Sequence, residues 1–349
     1  MLPPRVAYHR RVTVDILVVG AGPVGLACAI EATRQGLTHL VVEKGALLNT
    51  LVAWPTGTVF FSTPELLEIG ALPFPTRGPK PTRQEGLTYY RKAAERFGLS
   101  LRLYERVLGA ERTPDGFRVT TSREVHECRR LVVATGFFDH PNPLGVPGEE
   151  LPKVSHYYRE PYPYAGTDVL VVGGKNSAAE AALELYRSGA RVTMAVRGDS
   201  FGKSVKYWLK PDLENRVKEG AIRAFFETTV VRIEEKSVIL RGRRGRFEVP
   251  NDFVLALTGY HPDFDFLRSL GIDVTPDGHV VHDSETMETN VAGLYVAGVV
   301  AAGVDIGKLF IENGRRHAVQ VVAHALASLG RSPQAPLEAA PLRAFQDGD

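Results

Sequence analysis

The chain has 349 residues, enough for two domains at roughly 150 residues each and for burying about three quarters of the unfolded surface. Lys and Arg total 42 against 40 Asp and Glu, a formal charge of +2, which leaves no broad electrostatic footprint for nucleic acid or an anionic membrane. Two cysteines far apart in sequence, Cys28 and Cys128, exclude a disulfide framework and any Cys-rich zinc or iron–sulfur site, and fit a reducing cytoplasm.

The opening residues are basic but have no apolar region behind them, so neither a signal peptide nor export is expected. Residues 15–20 form a short β-branched apolar run, suited to a parallel strand buried on both faces. An Ala-rich stretch over 25–35, closed by Gly36, predicts a helix, and residues 40–43 predict a second strand. Strand, helix and strand fit the length of a right-handed crossover. At the first strand's end, Gly20-Ala-Gly22-Pro23-Val-Gly25 matches G-x-G-x-x-G, and Glu43 ends the second strand. Gly20 makes the tight turn, Gly22 lets a pyrophosphate approach the helix N-terminus, and Gly25 permits close helix-to-strand contact. Glu43 accepts ribose hydroxyl hydrogens, which favours an unphosphorylated ribose; FAD and NAD both satisfy that test. Alternating residues around Asp115-Gly116 predict antiparallel strands on the sheet. A buried strand over 131–136 then breaks at Thr135-Gly136, shortly before His140-Pro141.

The pattern repeats. Residues 168–174 and 191–196 read as buried strands around a helix over 177–188 closed by Gly189, and a strand over 253–259 again ends in Thr-Gly, followed by His261-Pro262. The second turn, Gly173-Gly174-Lys175-Asn176-Ser177-Ala178, carries Lys where the first has its second glycine and Ala where it has its third. Arg197 stands beside the place of a ribose acid, with Lys203 and Lys206 close by in sequence, so this turn reads as an NADP site in which cations hold the 2′-phosphate. A last strand over 293–298 and a helix from about 308 to 329, with Glu312 and Arg316 on its exposed face, belong with the first unit. The residues from 331 on read as a frayed tail. The apolar stretch 291–304 is shorter than the roughly 20 residues of a membrane-crossing helix.

The expected fold class is α/β, with two homologous Rossmann-like, three-layer nucleotide-binding domains. Residues 1–140 and 262–349 form a discontinuous FAD-binding domain, and residues 141–261 form an inserted NADPH-binding domain. Hydride would pass from nicotinamide to flavin, with a helix N-terminus near Lys308 supplying a field for the reduced ring.

The paired units, the two Thr-Gly strands and the closing Gly-Leu-Tyr-Val-Ala-Gly-Val strand together resemble the FAD-dependent pyridine nucleotide-disulfide oxidoreductases of thioredoxin-reductase type. More narrowly, Ala53-Trp-Pro-Thr56, Phe60-Phe-Ser-Thr63, Leu67-Glu-Ile-Gly70, the second glycine turn and Lys308-Leu-Phe-Ile-Glu-Asn-Gly314 are similar to the bacillithiol disulfide (bacilliredoxin) reductases. The resemblance implies FAD at Gly20, Gly22, Pro23, Gly25, Glu43, Lys44, Thr135, Gly136, Gly298, Val299 and Lys308, with Asn49, Thr50 and Trp54 near the flavin. It implies NADPH at Gly173, Gly174, Lys175, Asn176, Ser177, Arg197 and Lys203. The redox-active C-x-x-C of related enzymes is missing, since the corresponding stretch is Val154-Ser-His-Tyr-Tyr158. Val24 stands where members of the narrower family often carry a cysteine.

The implied activity is an NADPH-dependent flavoprotein reducing a small thiol disulfide or a bacilliredoxin- or thioredoxin-like protein; the cysteine usage fits the cytoplasm, and a homo-oligomer is expected because closed homo-assemblies are the commonest. Cys28 is an alternative thiol near a helix N-terminus, set against a core role; Cys128 is expected to be inert. Competing activities are an FAD-dependent monooxygenase, suggested by Pro147-Gly148, Ser155-His156 and the Gly-Lys-Asn-Ser-Ala run, a ferredoxin or quinone reductase, and a redox-sensing module without turnover. His156, His261 and His282 lie nearest predicted loops as proton donors, none of them assigned. No metal-ligand spacing is present.

Overall fold

The computed structural model describes residues 13–334, and the basic opening segment and most of the expected tail lie outside the described residues. The chain forms two compact units. Among the described residues, one takes 13–53, Thr58–His140 and 261–334; the other takes Trp54–Gly57 and Pro141–Tyr260.

The first unit starts with β1 (Thr13–Val19), α1 (Pro23–Arg34) and β2 (His39–Val42), followed by the short helices α2 (Asn49–Ala53) and α3 (Pro64–Leu67) and the longer α4 (Arg83–Arg96). Next come β3 (Leu101–Arg102), β4 (Val107–Thr113), β5 (Gly116–Thr121) and β6 (Val125–Val133). The sheet runs β3-β2-β1-β6-β5-β4. Ile16, Leu17 and Val18 in β1 are fully buried, as the β-branched, two-faced run requires. α1 is buried over most of its circumference because it lies against β1 and β2 on one side and a later helix on the other, which is why its side chains are small. α4 opens with a reciprocal capping box between Thr82 and Glu85.

The second unit contains β7 (Val154–Ser155), β8 (Asp168–Val172), α5 (Asn176–Arg187), β9 (Arg191–Ala195), α6 (Lys210–Lys218) and β10 (Arg223–Phe225). A meander follows, β11 (Thr229–Ile233), β12 (Ser237–Gly242) and β13 (Gly245–Pro250), and then β14 (Phe253–Ala256). Its parallel sheet runs β10-β9-β8-β14-β7. Alternation along β8 sorts the core: Val169 and Val171 pack with the alanines and leucines of α5, while Leu170 and Val172 face Val230, Ile233, Val238 and Leu240 of the meander. Helices, parallel sheet and meander thus make three layers.

Antiparallel strands lie on the parallel sheet in both units, but they join it differently. In the first unit β6 pairs with β1 along nearly its whole length, while its other edge takes β5 at Val125–Cys128 and a closing strand at Leu131–Val133, so meander and parallel strands share one sheet. In the second unit Pro250 ends β13, Asn251 and Asp252 turn the chain, and β11–β12–β13 stand as a separate antiparallel sheet.

The closing part of the first unit holds α7 (Phe264–Ser269), β15 (Leu294–Val296), α8 (Ile311–Gly314) and α9 (His317–Ser328), which packs on α1. The single helix expected from about 308 is therefore broken. Residues Ile306–Lys308 make a 3₁₀ turn, and helical structure starts at Ile311, where Asn313 Oδ1 accepts from Phe310 N at 2.7 Å. A second start follows at His317. Glu312 accepts from the Ser62 hydroxyl. The first residues of the expected tail are tied down: Arg331 pairs with Asp15 at 3.0 Å, and Gln334 N donates to Gln35 Oε1. No helix among the described residues is long and apolar enough to cross a membrane.

Candidate functional site

The C-terminal ends of the neighbouring strands β2, β1, β6 and β15 bring together most of the residues expected at the first glycine turn. Gly20 sits at φ +110°, and its N–H donates to Val42 O at 2.8 Å. A Cβ there would meet Ala134 O at 2.5 Å, and one on Gly25 would strike Gly20 O, so both positions admit glycine alone. Above Gly22, by contrast, nothing lies within 4 Å of a built Cβ. No side chain caps the first turn of α1, and Pro23 contributes no N–H, leaving the helix N-terminus open toward that space.

Glu43, 8 % exposed, does more than the ribose contact expected of it. Its Oε2 accepts from Ala21 N and its Oε1 from Gly45 N, both at 2.9 Å, bracing the glycine turn and the loop beyond β2. One lone pair on each oxygen is left for a further donor. Leu48 N donates to Ala21 O, and Asn49 Oδ1 accepts from Ala46 N while its amide packs on Gly45, so the entry to α2, with Asn49 and Thr50, is fastened to the same turn. Lys44 is paired with Asp139 at 2.8 Å. Trp54 groups with the second unit and apart from Asn49 and Thr50.

At the tip of β6 the Thr135 hydroxyl oxygen is shielded from solvent and has no hydrogen-bond partner among the described residues. Thr258, at the matching place in the second unit, donates to Asn142 O. A buried polar atom left without a partner calls for a ligand group, and together with the open face of Gly22 it fits a dinucleotide. Gly136 (φ +73°) and Val299 are neighbours. Gly298, at φ +74°, packs against the Val24 side chain, and its N–H donates to His317 Nδ1 at 3.2 Å. Burial pushes the His317 imidazole down to about 4, with His282 adding to the effect. His317 was not legible as a site residue, because only the fold carries the start of α9 to the Gly298 loop. Lys308 is exposed and paired with Asp305 at 2.7 Å.

The second turn repeats this geometry with different chemistry. Gly173, at φ +142°, donates to Ala195 O, and a Cβ there would meet Leu257 O at 2.5 Å; a Cβ on Gly174 would meet Val196 Cγ1 at 2.7 Å. Lys175 is the extended residue before α5, and no side chain caps that helix. Lys175, Ser177, Arg197 and Lys203 are exposed. Asn176 faces the following loop: its Nδ2 donates to Ser204 O at 3.0 Å and its Oδ1 accepts from Lys206 N at 2.9 Å.

Both cysteines are buried, and desolvation pushes each thiol up to about 12. Cys28 is therefore a core residue of α1, and the alternative of a reactive thiol there is excluded. The loop histidines are engaged as well: His156 contacts Ala256 O and Glu149, His261 contacts Pro262 O, and His282 contacts Val280 O.

The sequence model of the pyridine nucleotide-disulphide oxidoreductase family matches residues 17–298. Bacilliredoxin reductase Bdr of Bacillus subtilis (strain 168) is 44% identical over 310 residues, covering 88% of this chain and 96% of that protein. The solved structure of bacillithiol disulfide reductase Bdr from Bacillus cereus superposes with a TM-score of 0.89 at 39% identity, over 91% of this chain and 100% of its own. The Staphylococcus aureus Bdr structure gives 0.87 at 39% identity, over 90% and 99%. The two-unit α/β architecture, the glycine turns and these relatives together make the chain an oxidoreductase that belongs to the pyridine nucleotide-disulphide oxidoreductases and, within them, to the bacilliredoxin reductases.

Proposed function

We infer that the first unit binds FAD, the second binds NADPH, and the enzyme reduces bacillithiol disulfide or the disulfide of a bacilliredoxin-type protein in the cytoplasm. The net reaction is NADPH plus a proton plus a disulfide giving NADP⁺ and two thiols. Bound flavin supplies the two-electron relay between nicotinamide and disulfide.

The chain's residues hold and orient. The open N-terminus of α1 takes the flavin nucleotide's pyrophosphate above Gly22, Glu43 takes ribose hydroxyls with its remaining lone pairs, and the Thr135 hydroxyl gains the partner it lacks. Lys175 in the second turn, Arg197 just beyond β9 and Lys203 beside Gly202 are exposed cations suited to a 2′-phosphate. The observation that carries this reading is the opposite charge at two like turns, Glu43 directly beyond β2 and Arg197 one residue further along beyond β9. The disulfide acceptor is supported by the relatives' activity. Both cysteines of this chain lie in the core, so the acceptor disulfide must meet the reduced cofactor without a protein thiol in between.

An acceptor panel tests the reading. Anaerobic protein reduced with NADPH is mixed with bacillithiol disulfide, an oxidised bacilliredoxin, oxidised thioredoxin and oxidised ferredoxin. Prompt reoxidation by either of the first two supports it. Reoxidation by ferredoxin alone, or oxygen consumption coupled to a hydroxylated product in air, overturns it.

A further inference from the structure

The segment after β9 crosses the second glycine turn as a strap with defined fastenings. Gly202 N donates to Gly174 O at 2.8 Å, and a Cβ on Gly202 would lie 3.2 Å from that oxygen and 3.3 Å from Lys175 Cγ, so the strap passes directly over the turn. Two residues on, the Asn176 amide uses both its ends: Nδ2 donates to Ser204 O and Oδ1 accepts from Lys206 N. Lys203 lies between these fastenings, exposed and without a partner among the described residues. Arg197 is fixed independently, since Val196 and Gly198 on either side of it accept from Thr228 N and Glu227 N.

We propose that Asn176 is a positioning residue for cofactor discrimination: by clipping the 202–206 strap to the first turn of α5, it stations Lys203 at the rim of the nucleotide turn and so sets the preference for a 2′-phosphate. This rests on the NADPH reading of the second unit. The side chain acts through the strap, while pyrophosphate binding depends on the turn backbone and the helix end, which the clip leaves alone. A released strap lets Lys203 wander over many rotamers and backbone positions, and a flexible cation holds a phosphate weakly.

Calorimetric titration of the full-length holoprotein with 2′,5′-ADP and with ADP reads the discrimination apart from turnover. Wild type is expected to bind 2′,5′-ADP more tightly than ADP. Asn176→Ala and Lys203→Ala should each lose about tenfold in 2′,5′-ADP affinity, the order of one charge-assisted contact, with ADP affinity unchanged. The double variant should lose no more than either single one, because the two changes remove one contact. Melting temperature and flavin content report whether each variant folds. If Asn176→Ala weakens both ligands equally, or keeps the wild-type ratio, or adds its full effect to that of Lys203→Ala, the positioning role is overturned while the NADPH reading stands. If wild type binds the two ligands alike, the NADPH reading falls and takes the inference with it. Should Asn176→Ala fail to fold, Asn176→Ser, neutral but too short to hold both Ser204 O and Lys206 N, must still show a selective loss for 2′,5′-ADP.

Discussion

At the tip of β2 the Glu43 carboxylate holds the Ala21 and Gly45 amides at 2.9 Å. Glu43→Ala strands two N–H groups and removes the proposed ribose acceptor, so the variant should lose about 2–4 kcal/mol of stability and be purified with little flavin. Urea denaturation and the ratio of visible to ultraviolet absorbance check the two effects separately. His317 offers a pH signature. Its imidazole titrates near 4 in the folded protein because it is buried beside Gly298, against an unfolded value near 6.5. Lowering a histidine's folded value favours the native state above the unfolded value, and that stability is lost as pH falls from about 6.5 through 4. The loss amounts to about 3 kcal/mol. His317→Asn keeps an acceptor for Gly298 N without titrating, so its stability should fall less steeply than wild type over that interval in parallel denaturation curves; equal slopes would remove His317 from the account.

Among the elements, those legible in the sequence were the ones whose physics is local. Buried strands ending in glycine follow from β-branched runs and from the backbone conformation that Gly20 and Gly173 must adopt. The break between α8 and α9 was not legible, because the apolar spacing from 308 to 329 continues through it. What starts α8 late is a side-chain contact: Asn313 accepts from Phe310 N and Gly314 N and donates to Lys308 O. Asn313→Ala should cost about 1–2 kcal/mol, the worth of a capping residue, measured as a shift in the thermal midpoint with turnover retained in the folded fraction. The separation of the second meander turns on Pro250, which cannot donate into a sheet and so divides what stays joined through β6 in the first unit. At the candidate sites the glycines and the two charged strand tips were legible from spacing. The fastening of the strap by Asn176 and of the Gly298 loop by His317 were not, since each depends on segments that meet only in the fold.

For the molecule as a whole, two like units carry opposite charge beside their glycine turns, and neither contributes an accessible thiol. Replacing both Cys28 and Cys128 by Ala should lower stability by about 1–3 kcal/mol through lost packing and leave the steady-state rate of disulfide reduction within about twofold of wild type, a change below 0.5 kcal/mol in the barrier. A large loss of rate in a well-folded double variant would bring a protein thiol back into the reaction. The proposed reaction requires the first unit to hold a flavin that the nicotinamide bound by the second can reduce. Anaerobic titration of the freshly purified protein with NADPH, followed by its visible spectrum, tests this directly. The expected result is a yellow protein whose flavin absorbance is bleached by one NADPH per flavin, with NADH far less effective. A protein that is colourless and takes up no FAD, or one whose colour NADPH leaves unchanged, would contradict it.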